Sequence, residues 1–418
     1  MTAALGTAEI IIWGVLTFSI LVVFHEMGHF LAARAFGVKV HEFMVGLPGP
    51  AIRLHTKNMS WGVTAIPLGG YVRIAGMEPG PEDELLGRAL AVIRDAGTVD
   101  AAALARELIV SRERAEAILM TLHDWKAIVP EDDDRYSLSL EGDISGLDAD
   151  GLADRARRFT YRGQSTIKRI TILAMGVITN LTVAILTFTV VLSVWGYLDL
   201  TTTIDMVGQD SPAAAAGVMP GDTLVALDGE PIETWDSFQL LMSGTSPDQS
   251  VILTVDRDGA RMDLPLTLGE RDGHGYAGIG PTAIPVRPGV MESLTRSVGL
   301  TGLVFRAIVD LFNPATFARS VEGVRGPVGI SVMAAEAAAA GPLQYAGLIA
   351  MLSLSLGIMN ILPLPPLDGG KIMLEIVERM AGRPMSRAVT LGFSAVGAVL
   401  LFSLIGYIMY ADIARLAQ

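Results

Sequence analysis

Four long uncharged runs constrain this chain more than any other feature. Ile10 to Phe24 carries no charge, and past a cluster of ionisable residues at 25–29 the run resumes from Phe30 to Ala33. Ile170 to Leu198, Leu343 to Leu367 and Ala388 to Tyr410 are each uncharged throughout. A helix needs about 20 mostly apolar residues to cross a bilayer, and long helices of soluble cores normally keep a polar face. The expected fold class is therefore a polytopic α-helical membrane protein with four transmembrane helices in contact with the lipid bilayer. The rest of the composition agrees. Hydrophobic residues at 51% against 18% charged exclude a disordered chain. The absence of cysteine excludes a disulfide scaffold, and a net charge of −13 weighs against nucleic acid as a partner.

The distribution of Lys and Arg orients the spans. No basic residue precedes Arg34, whereas Arg34, Lys39, Arg53 and Lys57 follow the first span and six, from Arg155 to Arg169, precede the second. After the second span none occurs until Arg257, and the link between the third and fourth carries Lys371, Arg379, Arg383 and Arg387. The expectation is that both termini lie outside, with 199–342 outside and 37–168 and 369–387 inside. The N-terminus lacks the basic region of a cleaved signal peptide, so none is expected.

The spans divide the chain into eight segments: the first transmembrane helix at 1–37, a membrane-associated β region at 38–77, an insert at 78–158, the second helix at 159–199, an extracytoplasmic domain at 200–285, an amphipathic linker at 286–341, the third helix at 342–371, and the fourth with the C-terminus at 372–418. Residues 38–76 alternate and turn often, with Pro48-Gly49-Pro50 and Gly69-Gly70, and read as short strands. The insert holds 19 acidic and 10 basic residues, a net of −9 that leaves −4 for the rest of the chain. Its pattern predicts helices at about 83–96, 100–110 and 112–126 and a hairpin around Glu131–Asp134, an order that resembles a winged helix-turn-helix. Its third helix opens with Arg112 and Arg114 beside Glu113 and Glu116, and the hairpin tip is acidic. The expected role is therefore interaction with an unidentified protein partner, or self-association, in place of DNA binding. The stretch from Ser211 to Gly229, with Gly217, Gly221 and Asp228-Gly229 as punctuation, resembles a PDZ domain. One copy is expected, able to receive a peptide or a free C-terminus by strand addition.

The chemistry sits in the first span, at His25-Glu26-Met27-Gly28-His29. Helical spacing puts the imidazoles of positions i and i+4 on one side, where both can reach one ion, and Glu26 can address a metal-bound water as general base. Ionisable residues inside a span are costly and usually functional. A catalytic zinc with two His needs a third protein ligand. Asp368 is the best candidate, since it interrupts the apolar end of the third span within Asn360-Ile-Leu-Pro-Leu-Pro-Pro-Leu-Asp368-Gly-Gly370 and lies towards the same side as His25 and His29. His41, His55, His123 and His274 read as ordinary polar residues.

With these motifs in order, the sequence resembles the bacterial site-2 proteases, intramembrane zinc metalloproteases of the regulator-of-sigma-E protease type. The likeness covers roughly 320 of the 418 residues, all but the insert, and includes Phe24–Phe30, Ile66–Val72, Gly176–Asn180, the PDZ-like domain, Gly326–Ile330 and Asn360–Gly370. It implies that His25, His29 and Asp368 bind Zn2+, that Glu26 is the general base, that Asn360 contributes to substrate binding, and that Asn180 packs against the catalytic helices. It also implies a multi-pass protein of the bacterial cytoplasmic membrane. Such a protein would hydrolyse peptide bonds within transmembrane segments of single-span proteins, such as anti-sigma factors or remnant signal peptides, with the β region presenting an edge to extended substrate. Two positions depart from the family pattern, Val177 where Pro is frequent and Lys371 where His is frequent.

Overall fold

The computed structural model describes residues 6–56, 59–66, 69–77, 82–131, 134–140, 142–271, 273–313 and 316–416. Among the described residues, four helices are long and apolar enough to cross a membrane: α1 (Thr7–Ala35), α6 (Thr166–Val194), α12 (Pro342–Ile361) and α14 (Arg387–Leu416). Many of their large apolar side chains point out of the protein, among them Ile11, Ile12 and Leu16 of α1 and Val399, Leu400 and Phe402 of α14. That is what a hydrocarbon solvent permits and water penalises.

Between α1 and α6 the chain first forms β1 (Val40–Val45), β2 (Ala51–His55), β3 (Ser60–Thr64) and β4 (Gly70–Ile74), a sheet in the order β2-β3-β1-β4. Strands β1 and β3 run parallel, and β4 pairs antiparallel with β1 and forms the sheet's end. Phe30 of α1 meets Phe43 and Trp61 edge-on, with ring centroids 5.8 and 5.2 Å away, which anchors the sheet on the helix.

The acidic segment then folds as α2 (Leu86–Ala96), β5 (Thr98–Val99), α3 (Ala101–Leu108), α4 (Arg112–Asp124), β6 (Ile128–Pro130), β7 (Tyr136–Leu138) and α5 (Ala149–Arg157), with the strands in the order β5-β7-β6. Residues 132 and 133 of the expected hairpin tip lie outside the described residues. Asp100, Ser111 and Asp148 cap α3, α4 and α5 by accepting from the backbone N–H of Ala103, Arg114 and Gly151. Leu90, Ile93, Leu104, Ile118, Leu119 and Leu122 fill its core.

This segment is tied to the sheet mainly around Asp124, with Lys126 adding a contact to the carbonyl of Val40. Asp124, buried at the end of α4, accepts from Gly76 N–H at 2.9 Å and from Arg73 at 3.3 Å. His41 Nε2 lies 3.3 Å from its carboxylate and 2.6 Å from its backbone carbonyl. Burial alone would raise the Asp124 carboxyl, but its bonds to His41 and Gly76 outweigh that and hold it below the usual carboxylate range. His41 thus has a specific structural partner that the sequence did not disclose.

Residues 190–293 form a separate compact unit. It contains β8 (Tyr197–Val207), α7 (Pro212–Ala215), β9 (Thr223–Leu227), β10 (Glu230–Pro231), α8 (Trp235–Ser243), β11 (Ser250–Arg257), β12 (Ala260–Thr267), β13 (Gly269–Arg271), β14 (His274–Tyr276) and β15 (Ile279–Val286). The main sheet runs β12-β11-β9-β8-β15, with β10 on β9. Asp258-Gly259 joins β11 to β12 with positive φ at both residues, the backbone a two-residue hairpin requires. Beneath the sheet, Asp222 is buried and held bidentately by Arg257 at 2.7 and 2.8 Å. That pairing keeps its carboxyl below the usual range.

The return to the helical unit is α9 (Val290–Leu311), whose Leu300, Val304 and Ile308 pack on Ala184 of α6 and Leu354 and Ile358 of α12. Then come α10 (Phe317–Gly323), α11 (Pro327–Ala340), α12, α13 (Asp368–Ala381) and α14. Two boundaries differ from those expected. The second span stops at Val194, because the chain turns at Gly196 with φ +82 and enters β8. The third span stops at Ile361, because the prolines at 363, 365 and 366 cannot continue it, and Asp368 begins a new helix, α13. Helix α11, rich in alanine, lies against α1 where Gly14 faces Ser331, within the segment whose sequence suggests an amphipathic linker.

Candidate active site

The site is built where α1, α6 and the start of α13 meet. Gly28 of α1 faces Met175 and Thr179 of α6, and Gly176 of α6 faces the imidazoles of His25 and His29; a β-carbon at either glycine would occupy space its neighbour already fills. Small residues at such a crossing let two helix backbones approach closely. Polar contacts add α12 to the assembly: Thr17 Oγ1 lies 2.9 Å from Tyr345 Oη, and Ser353 Oγ donates to the backbone carbonyl of Asn180 at 3.0 Å.

One helical turn separates His25 from His29, and both imidazoles present Nε2 to Asp368 Oδ2, at 2.9 and 3.0 Å. The two Nε2 atoms are 3.3 Å apart. All three residues are buried, and their ligand atoms lie within 4.8 Å of one another, close enough to hold one metal ion. Two imidazole nitrogens and a carboxylate oxygen make a donor set suited to zinc that leaves a position open for chemistry.

The outer side of each imidazole supports this arrangement. His29 Nδ1 lies 2.8 Å from the carbonyl of Ile172, which can only accept, so the proton sits on Nδ1 and Nε2 keeps its lone pair. His25 Nδ1 lies 3.4 Å from the side-chain amide nitrogen of Asn180, while the buried Asn180 Oδ1 has no hydrogen-bond partner. Amide oxygen and nitrogen are assigned from the network around them. Exchanging the two gives Nδ1–H of His25 an acceptor and frees its Nε2 as well. Asn180, read from sequence only as a packing residue, therefore belongs to the site. The signal available for it was an uncompensated amide in the middle of an apolar span.

Glu26 lies beside the trio, and its Oε2 accepts from the backbone N–H of Val72 at 3.1 Å. That N–H points off the open side of β4, so the carboxylate and the sheet's end share one place. Lys371 donates to Asp368 Oδ1 at 3.2 Å, so the lysine that departs from the family pattern engages the carboxylate oxygen that the histidines leave free. Asn360 is buried at the end of α12, but its amide donates to Leu356 of its own helix at 3.0 Å and makes no hydrogen bond to the trio.

The model of peptidase family M50 matches residues 13–404. The chain belongs to peptidase family M50. Among its curated relatives, zinc metalloprotease RasP of Oceanobacillus iheyensis is 28% identical over 96% of this chain and 98% of its own length. The protein named "Probable protease eep" of Enterococcus faecalis is 29% identical over 90% of this chain and 92% of its own length. A solved PDZ domain, of the SdrC-like protein from Listeria innocua, aligns with 19% of the chain at 18% identity and a TM-score of 0.18, a likeness that carries no weight for the fold. As an M50 member with this donor set, the protein is a zinc metalloprotease with membrane-length helices.

Proposed function

We propose that this M50 protease cleaves single-span membrane proteins inside their transmembrane segments, with His25, His29 and Asp368 as metal ligands and Glu26 as the general base. The observation that carries the reading is the meeting of a buried His-His-Asp trio, a neighbouring carboxylate and the end of a sheet beside a helix of membrane-spanning length. A bound zinc ion would supply Lewis acidity towards the scissile carbonyl and make a water easier to deprotonate.

The chain's own residues then have definite tasks. A helical substrate hides its backbone and must unwind before it can be cut. The extended segment pairs with β4, which places its backbone beside Glu26. Glu26 takes the proton from the attacking water and delivers it to the leaving amine. The carbonyl of Ile172 and the amide of Asn180 keep both imidazoles oriented, and Asn360 lines the approach of substrate.

The insert is a winged-helix-like module for protein contacts. Arg112 and Arg114, the basic residues that would face DNA, are already paired with Glu116 and Asp83. The unit at 190–293 is a PDZ-like domain outside the cell that admits substrates already trimmed there, such as anti-sigma factors or remnant signal peptides. The basic flanks at 155–169 and 371–387 support an entrance to the site from the cytoplasmic side of the bacterial inner membrane. The test is Glu26→Gln with a single-span reporter in reconstituted vesicles. The variant should retain zinc and lose cleavage; cleavage at the wild-type rate would overturn the assignment.

A further inference from the structure

A cavity of about 520 Å³ opens where α5, α6 and the end of α13 meet. Arg157, Arg162, Arg169, Arg379 and Arg383 line it, against only Glu82 and Glu378, in a chain whose net charge is −13. The acids offset only part of this concentration. Glu82 and Asp154 pair with Arg157 at 2.6 and 3.4 Å, and Glu378 is engaged by the backbone N–H of Met385 at 2.9 Å. Arg169 reaches Glu375, just outside the lining, at 3.0 Å. Arg379 and Arg383 have no ion pair among the described residues. The Nε atoms of Arg157 and Arg169 are buried without a hydrogen-bond acceptor. Buried guanidinium donors without acceptors, gathered with unpaired arginines around one volume, describe a receptor for an anion with several oxygens.

The surroundings say which kind of anion. Two membrane-length helices start at the cavity: Thr166, the first residue of α6, is part of the lining, and α14 begins at Arg387, three residues beyond the lining residue Pro384. Ile167 is 77% exposed, and Val389 and Leu391 are each 49% exposed at the start of α14. The ligand that fits has an anionic head among the arginines and apolar chains along the first turns of α6 and α14. We infer that this cavity binds the phosphate headgroup of an anionic phospholipid at the membrane surface. Helix α13 then carries Asp368 at its N-terminal end and the lipid site at its C-terminal end.

The test uses the purified full-length protein in nanodiscs of phosphatidylcholine doped with phosphatidylglycerol, with retained lipid counted by native mass spectrometry. The variant is Arg379→Ala/Arg383→Ala, which removes the two arginines that have no ion pair among the described residues. Each basic group at an anionic surface is worth about a factor of five, so retention of phosphatidylglycerol should fall about thirty-fold with no change for phosphatidylcholine. The control is Arg112→Ala/Arg114→Ala in the insert, which removes the same charge elsewhere and should leave retention unchanged. An equal loss in both variants would overturn the site in favour of diffuse attraction. Unchanged retention in the first variant would overturn it outright. Displacement of the lipid by millimolar inorganic phosphate would reject the lipid as ligand in favour of a soluble phosphate.

Discussion

Replacing Asn180 should weaken metal binding without touching any metal ligand. Its amide is the group beside His25 Nδ1, and the residue is fully buried, so no water can substitute for it in the intact fold. When Asn180→Ala removes the acceptor, the proton on Nδ1 loses its partner and the imidazole can relax to the tautomer that protonates Nε2, the atom facing Asp368. Loss of such an outer partner typically costs about 10–100-fold in metal affinity. The contact here is 3.4 Å, longer than the 2.8 Å bond that holds His29 on Ile172. The lower end of the range therefore applies, about tenfold or about 1.4 kcal/mol. Asn180→Asp keeps an acceptor in the same place and should retain zinc at or above the wild-type affinity. Asn180→Leu fills the volume without an acceptor and should behave like the alanine variant. The assay is competition for zinc with a chromophoric chelator, using full-length protein in detergent, alongside total zinc by elemental analysis. Equal affinities in all four proteins would refute the argument, and so would a loss in Asn180→Asp as large as in Asn180→Ala, because packing alone would then explain the residue.

Other consequences can be checked in the same preparations. Asp368→Asn should lower zinc content by at least an order of magnitude, since an amide oxygen is a far weaker ligand than a carboxylate; wild-type zinc by elemental analysis would reject Asp368 as a ligand. Gly176→Ala should also reduce zinc content, because the added methyl meets both imidazoles, and overpacking of this kind costs about 1–3 kcal/mol. Asp124→Ala removes the carboxylate that Gly76 N–H and Arg73 use while leaving His41 the backbone carbonyl of residue 124, and should destabilise the 38–77 sheet by about 1–3 kcal/mol, seen as faster proteolysis of that segment. In the 190–293 unit, the Arg257 pairing depresses the Asp222 carboxyl in the folded state. A depressed folded pKa contributes stability above the unfolded value, near 4, and loses it as pH falls through the folded value. Hydrogen-exchange protection of β9 and β11 should therefore be level from pH 7 to about 5 and fall only below about 4, and Arg257→Met should flatten that fall.

How much of this was legible in the sequence depends on the range over which each residue acts. His25 and His29 belong to one helix, so their convergence follows from helical geometry alone, and the cost of ionisable residues in an apolar run marks them as purposeful. Asp368 was legible for the same reason of cost, although its place was not: the prolines at 363, 365 and 366 detach it from α12 and set it at the start of α13, where it points back at the histidines. The insert's helices were legible because each carries an apolar stripe of its own, and α3 and α4 also carry a side-chain cap. What remained hidden is what only tertiary approach creates. Val72 holds Glu26 by a backbone N–H, which no side-chain pattern encodes. Asp124 and His41 lie 83 positions apart and look like ordinary surface residues until α4 meets β1. The arginines of the basic cavity are scattered from 157 to 383 and only become one feature when α5, α6 and α13 converge. Local chemistry thus marks the residues that must be paid for where they stand, whereas residues whose role is to join distant elements carry no local mark. In this protein the second kind includes the groups that aim the imidazoles and the carboxylate, so the orientation of the site is the part that required a structure.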